Sequence, residues 1–362
     1  MFRLLHFLSS YKYSERAQNL SIRALRGIKK FGLSPLVRFK YNYKHPLLER
    51  ELLGVKFKNP VGLAAGFDKS GDRYNLLSDL GFGFIEIGSL TLLKQTHNTP
   101  NIYFLPKDEA LINDSVINNL GVRHAVNYLK KNKPNCIIGA NITSCISENM
   151  QKMIHEYELA FEYLYDFVDY FVLNVSLSDV NTFGNISSLE ELSEILDPLL
   201  TIRNMYDEYR PILLKVTPDM NISDLDEVIA LSLVSGLDGI IATNGTYKRE
   251  NLNSSQRVLN RAQDGILCGK PLYNRSLEFV KYIYKKTNGQ LPIIASGGIF
   301  TSEQAKEMLN SGASLIQIYS SFIYKGAKIV KRINKYIVKC AKNEALKVNN
   351  PQKKEKQREV KK

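Results

Sequence analysis

The sequence predicts an α/β fold built as a (β/α)8 TIM barrel behind a short N-terminal helical extension. Three observations carry this. Eight short apolar runs alternate with longer stretches of helical periodicity. Most of the runs are nearly continuous in apolar character, as strands buried on both faces require. Together they span about 260 of the 362 residues, the length of one such barrel. The rival arrangement, a doubly wound open sheet, would want a G-x-G-x-x-G turn after its first strand, and none is present.

Composition agrees with a folded globular chain. The chain is 44% hydrophobic and 23% charged, which excludes disorder, collagen and coiled coil as the dominant state. No apolar run reaches the roughly 18 residues a spanning helix needs. Residues 1–10 (MFRLLHFLSS) are broken by His6 and lack a small-x-small cleavage site, so they do not read as a signal peptide. Cys136, Cys145, Cys268 and Cys340 form no C-x-x-C pair, and the five histidines are scattered. Neither a disulfide framework nor a metal site is expected, and a reducing compartment is.

The net charge of +13 is confined to the ends. Residues 1–50 carry +9 and residues 351–362 carry +4, so the remaining 300 residues sum to zero. A body that gripped nucleic acid would be expected to show a basic face, so none is expected as a partner. The C-terminal segment 346–362 reads as a basic, solvated, disordered tail.

Taken in order, Ala17, Leu20, Ala24, Leu25 and Ile28 fall on one helical face, with Arg16, Arg23, Arg26, Lys29 and Lys30 largely off it. Gly32 stops that helix. Ser34-Pro35 then reads as an N-cap followed by proline at the first helical position, opening a second short helix. These helices either pack on the barrel or lie on an anionic bilayer; the pattern allows both. The barrel strands are expected at 60–65, 84–88, 136–141, 170–175, 212–216, 239–243, 292–296 and 315–319. Helices are expected at 189–206, Ile222–Ser235 and 303–311, among others. Two long intervals, 89–118 and 244–272, show little periodicity and read as functional loops on the C-terminal face.

A barrel builds its site from residues just after each strand. Gly297-Gly298 and Tyr319-Ser320 follow strands seven and eight, where barrels hold phosphate on backbone N–H groups. Asn113, Asn118, Asn141, Asn174, Asn181, Asn244, Lys69 and Lys215 lie at strand ends or in adjoining loops. A lone asparagine there would be a turn residue. A cluster of amides and ammonium groups is costly to bury unpaired, and so points to a polar, planar ligand. There is no Walker A loop and no G-x-S-x-G elbow.

The stretches 59–69 (NPVGLAAGFDK), 81–89 (GFGFIEIGS), 108–113 (DEALIN), 174–176 (NVS), 215–219 (KVTPD), 269–272 (GKPL) and 312–319 (GASLIQIY) resemble dihydroorotate dehydrogenase of the quinone-linked, membrane-associated class. The resemblance runs from about residue 15 to residue 340 and includes Glu15-Arg16-Ala17. It implies an FMN-bearing barrel at 51–345 that oxidises dihydroorotate to orotate in pyrimidine synthesis and passes electrons to a membrane quinone. It assigns residues 1–50 to the membrane and quinone, and a peripheral location, on the cytoplasmic face of the inner membrane in a bacterium. FMN would be held by Ala64, Ala65, Gly66, Ser89, Asn141, Asn174, Lys215, Thr243, Gly269, Gly298, Tyr319 and Ser320. Dihydroorotate would be held by Lys69, Asn113, Asn118, Asn174, Asn181 and Asn244.

The family's catalytic stretch N-[VI]-S-S-P-N-T becomes NVSLSDVNT at 174–182, two residues longer. Ser178 is the expected base and Ser176 the fallback. The family's N-R-x-G-F-N becomes Asn113-Asp114-Ser115-Val116-Ile117-Asn118, losing an arginine and a glycine. The quinone-site histidine and arginine are replaced by Gln18 and Phe104, and the glycine-lysine usually following Asn141 is replaced near Thr143-Ser144. Two alternatives stay open on these departures. One is a flavin-binding barrel with lost or altered catalysis, acting as a binding or regulatory protein. The other is a different FMN-barrel oxidoreductase, such as a tRNA-reducing enzyme.

Overall fold

A computed structural model describes residues 15–96, 102–113, 117–145, 149–177, 185–186, 188–262 and 265–348. Two helices open the chain, α1 (Glu15–Lys30) and α2 (Ser34–Tyr41). Ser34 is not the N-cap expected of it. Leu33 holds that position without a side-chain bond, and Ser34 with Pro35 forms the first turn. A hairpin of β1 (Arg50–Leu52) and β2 (Val55–Phe57) follows.

Then come β3 (Val61–Asp68), α3 (Tyr74–Leu77), β4 (Phe84–Leu90), β5 (Ile102–Leu105), β6 (Ala110–Asn113), α4 (Val122–Lys131), β7 (Ile137–Ile142), α5 (Met150–Leu164), β8 (Tyr170–Leu173), β9 (Ser176–Leu177), β10 (Asn185–Ile186), α6 (Leu189–Arg203), β11 (Ile212–Val216), α7 (Ile222–Ser235), β12 (Gly239–Ala242), α8 (Gln256–Arg261), β13 (Ile266–Gly269), α9 (Tyr273–Lys286), β14 (Ile293–Ser296), α10 (Ser302–Asn310), β15 (Leu315–Ile318), α11 (Ser320–Lys325) and α12 (Lys328–Val348).

The eight strands β3, β4, β7, β8, β11, β12, β14 and β15 close a parallel barrel in sequence order. All eight expected strands are present. Their apolar runs are explained by burial on two sides: outward residues such as Ile85 and Leu214 meet the helices, and inward ones fill the barrel. The helices show the matching stripe. In α4, Val122, Ala125, Val126 and Leu129 are buried at helical spacing, and Lys130 and Lys131 complete the last turn.

Strand alternation divides the interior into layers. The lowest is apolar: Phe84, Tyr170, Val172, Leu213, Ile241, Ile294 and Leu315, with Phe57 of the hairpin packed edge-on against Phe84 at 5.3 Å. Two glycines make room for the rings. A Cβ at Gly62 would lie 2.2 Å from the Phe84 ring, and one at Gly139 would lie 2.1 Å from the Tyr170 ring.

The intervals 89–118 and 244–272 are not plain loops. They contribute β5, β6 and β13, which form a three-stranded antiparallel sheet in the order β13-β6-β5. This sheet has its own small core of Leu105, Ala110, Ile112, Leu259, Ala262 and Leu267. Asp108 ties it down, accepting bonds from the Asn253 amide at 2.7 Å and the Ser254 amide at 3.1 Å. Burial pushes the Asp108 carboxyl up, but the Ser254 and Asn253 bonds outweigh it and hold the group below its usual range.

The N-terminal helices are not independent of the barrel. Ile22 and Leu25 of α1, and Leu48 just beyond α2, are buried in the main core. No residue of α2 is buried, and Phe31, Leu36 and Phe39 are 78%, 65% and 87% exposed. Among the described residues, no helix is long and apolar enough to cross a membrane. Also among the described residues, no group of His, Cys, Asp and Glu could hold a metal ion, and all four cysteines are free thiols.

Candidate active site

A cavity enclosing about 830 Å³, its open mouth included, lies at the carboxyl ends of the barrel strands. Of the residues expected there, Ala64, Ala65, Gly66, Ser89, Asn113, Asn174, Lys215, Thr243, Asn244, Gly269, Gly298, Tyr319 and Ser320 line it. The antiparallel sheet contributes Asn113 from β6 and Ile266, Cys268 and Gly269 from β13, so it forms one wall.

The polar side chains are held in a connected network. Asn244 donates to Asn174 Oδ1 at 3.1 Å, Asn174 donates to Ser89 Oγ at 2.9 Å, and Ser89 donates to Asn141 Oδ1. Asn141 in turn donates to Glu86 Oε1 at 2.9 Å. Asn141 is fully buried and sits beneath Ser89 rather than on the cavity wall. Satisfied networks of this kind fix side-chain orientation, because breaking one bond strands a buried polar atom. Next to Asn244, Thr243 Oγ1 and Ser276 Oγ lie 2.8 Å apart.

Gly297 and Gly298 form the turn after β14 with φ of +108° and +71°. A Cβ at Gly298 would lie 2.4 Å from the Tyr273 amide nitrogen, so the backbone there is both left-handed and packed tightly on the start of α9. With Ile299, Ser320 and Ser321 these glycines line one end of the cavity. The arrangement suits a ligand with a planar, amide-rich ring system at the Lys215–Asn174 end and an anionic group at the glycine end.

Lys69 and Asn118 lie outside the cavity lining, both half-buried. Ser178 and Asn181, with Thr182, fall outside the described residues, and Ser176 is placed only as backbone, in β9 paired with β10. Cys268 lines the cavity, but burial pushes its thiol up to about 11 despite Lys215 nearby, so it is not a thiolate base near neutrality.

Glu86 and Gln317 are site residues that strand-end reasoning missed. They lie in mid-strand, where a polar residue inside an apolar run (FIEIG, LIQIY) was the available signal. Gln317 lines the cavity floor.

A closed parallel barrel with a polar, network-held cavity at its strand carboxyl ends defines a (β/α)8-barrel enzyme. The model of the dihydroorotate dehydrogenase family matches residues 47–340. A protein of Christiangramia forsetii named dihydroorotate dehydrogenase (quinone) is 42% identical over 308 residues, covering 85% of this chain and 89% of the relative. One of Wigglesworthia glossinidia brevipalpis with the same name is 33% identical over 341 residues, covering 92% and 99%. The crystal structure of Eimeria tenella DHODH in complex with ferulenol superposes with a TM-score of 0.80 at 26% identity, covering 95% of this chain and 96% of that one. This chain belongs to the dihydroorotate dehydrogenase family, and is a divergent flavin-dependent oxidoreductase within it.

Proposed function

We propose that this chain oxidises dihydroorotate to orotate in pyrimidine biosynthesis, with FMN in the mouth cavity and a quinone as electron acceptor. The observation that carries the reading is the joining of Asn174, Asn244, Ser89 and Lys215 to a left-handed glycine turn in one cavity, in a chain of this family. FMN fits that donor set. When bound, it supplies a hydride acceptor that can pass electrons on singly.

The Gly297-Gly298 turn and Ser320 would receive its phosphate. Lys215, at the floor, would face the pyrimidine edge of the ring and favour negative charge there. Asn113, Asn174 and Asn244 would orient dihydroorotate by its ring amides. Lys69 would meet the carboxylate, with Asn118 and Asn181 completing the set. Ser178, or Ser176 in its place, would remove the C5 proton as hydride leaves C6. Serine is a weak base in water, so the antiparallel sheet, by covering the mouth, would serve to exclude solvent.

Residues 1–50 would form the membrane- and quinone-facing extension, 51–345 the catalytic barrel, and 346–362 a tail. The exposed Phe31, Leu36 and Phe39 lie beside Arg38, Lys40, Lys29 and Lys30, which suits insertion of an apolar edge among anionic headgroups. The location would be peripheral, on the cytoplasmic face of the inner membrane in a bacterium.

The relatives bear an enzyme's name at 33–42% identity over most of the chain, which favours an active enzyme over a flavin-binding regulator. The barrel's zero net charge does not favour a tRNA-reducing enzyme. The test is anaerobic addition of dihydroorotate to flavin-loaded protein. Bleaching of the flavin band, reversed by quinone, is expected. Loaded protein that dihydroorotate does not bleach would refute the reading.

A further inference from the structure

Glu86 is the one acidic group at the centre of the barrel among the described residues, fully buried on β4. It stands directly above the apolar floor and directly below the cavity. Three side chains from three other strands converge on it. Lys215 Nζ is 3.3 Å and Asn141 Nδ2 2.9 Å from Oε1, and Gln317 Nε2 is 2.5 Å from Oε2. Lys215 and Gln317 also line the cavity, and Asn141 leads through Ser89 to Asn174. One carboxylate thus anchors the groups that face the ligand from below.

A buried ion pair is a poor source of stability, because desolvating both charges offsets their attraction. A floor of neutral residues would hold the barrel together as well. Its place beneath the cavity, with Lys215 reaching into the lining, points instead to the ligand above.

We propose that Glu86 is a positioning residue for flavin reduction. Its carboxylate holds the Lys215 ammonium against the cavity floor and partly offsets its charge, and so sets the reduction potential of the bound flavin. An unopposed ammonium in a low-dielectric site would strongly favour the electron-rich reduced ring. A carboxylate at 3.3 Å tempers that pull, leaving the flavin able to surrender its electrons. This inference rests on a flavin occupying the cavity, and the test separates the two.

Flavin content is read first from absorbance after desalting, and then the midpoint potential from anaerobic equilibration with reference dyes. Glu86→Gln should keep its flavin and shift the reduction equilibrium at least tenfold toward reduced flavin, about 30 mV for a two-electron couple. Lys215→Met should shift it in the opposite direction, and the double variant should return to within threefold of wild type. An unchanged or lowered potential in flavin-loaded Glu86→Gln overturns the proposal, as does a folded Glu86→Gln that releases its flavin. If Glu86→Gln does not fold, Lys215→Met is compared with the double variant, which exchanges the charged pair for a neutral one. The double must then lie at least tenfold higher, and equal values overturn the proposal. Wild type that cannot be loaded with flavin overturns both this inference and the reading beneath it.

Discussion

Replacing Gly298 by alanine should dismantle the cofactor site while leaving the barrel standing. Two costs add. A non-glycine residue at φ +71° pays roughly 1–2 kcal/mol for the left-handed region. The new Cβ would also lie 2.4 Å from Tyr273 N and 2.6 Å from Tyr273 Cα. Those are backbone atoms at the start of a 14-residue helix, so they cannot swing aside as a side chain would. Overpacking of this kind costs about 1–3 kcal/mol. The cheapest relief is for the turn to move into the cavity. If 2–4 kcal/mol of the total is taken from ligand binding, affinity for FMN falls by about 30- to 1,000-fold.

The assay is fluorescence titration of apoprotein with FMN, with thermal unfolding of the apoprotein measured alongside. Gly139→Ala is the control. Its Cβ would lie 2.1 Å from the Tyr170 ring, a side-chain clash on the floor, outside the cavity lining. It should lower the unfolding temperature and leave FMN affinity within threefold. If Gly298→Ala binds FMN as wild type does, or if Gly139→Ala loses as much affinity, the assignment of the glycine turn to the phosphate is wrong.

Other outcomes follow from the same geometry. Replacing Phe31, Leu36 and Phe39 together by serine should weaken binding to anionic vesicles at least 100-fold, at about 1.5–3 kcal/mol for each large side chain withdrawn; dihydroorotate-driven bleaching should be unchanged, and equal vesicle binding would refute the membrane role. Ser178→Ala should slow flavin reduction by about 10²–10⁴-fold in stopped flow with FMN content unchanged, and a large loss in Ser176→Ala instead would move the base to that residue. Burial, helped by the charge of Asp72, pushes the Asp68 carboxyl up to about 6 although the Arg73 and Asp72 amides donate to it. A carboxyl raised in the folded state stabilises below its unfolded value, near 4, and that contribution is lost as pH rises through 6. Asp68→Asn should therefore gain on wild type in urea unfolding between pH 4 and 7, by about 3 kcal/mol at most at 1.36 kcal/mol per unit; a difference independent of pH would show that the group is not held protonated.

The barrel was legible because its strands are buried on both faces. A run such as Ile212–Val216 has no competing reading once a helical interval follows it. The wall sheet was not legible in the same way. Its strands are four residues each, and they pair across 150 residues of chain, as Ile266 does with Asn113. Yet the sequence IYFLPKDEALIN, two apolar runs around a Pro-Lys-Asp-Glu turn, held a hairpin signal that periodicity over longer windows averages away. The candidate ligand residues were readable where they stand at strand ends, as Asn174, Lys215 and Asn244 do. Asn141 stands one residue short of the end of β7, and its amide bonds to Glu86 and Ser89 instead of lining the cavity. Glu86 and Gln317 escaped because a polar group in mid-strand is informative only when the interior of the barrel, not the helices, receives it.

The plug of Phe84, Tyr170 and Phe57 over Gly62 and Gly139 makes the barrel a blind well. The packed rings leave a substrate-sized molecule no route from the hairpin end. A ligand of the cavity approaches from the carboxyl ends of the strands, beside the wall sheet. The direction from which the cavity is reached is thus set at the closed end of the barrel.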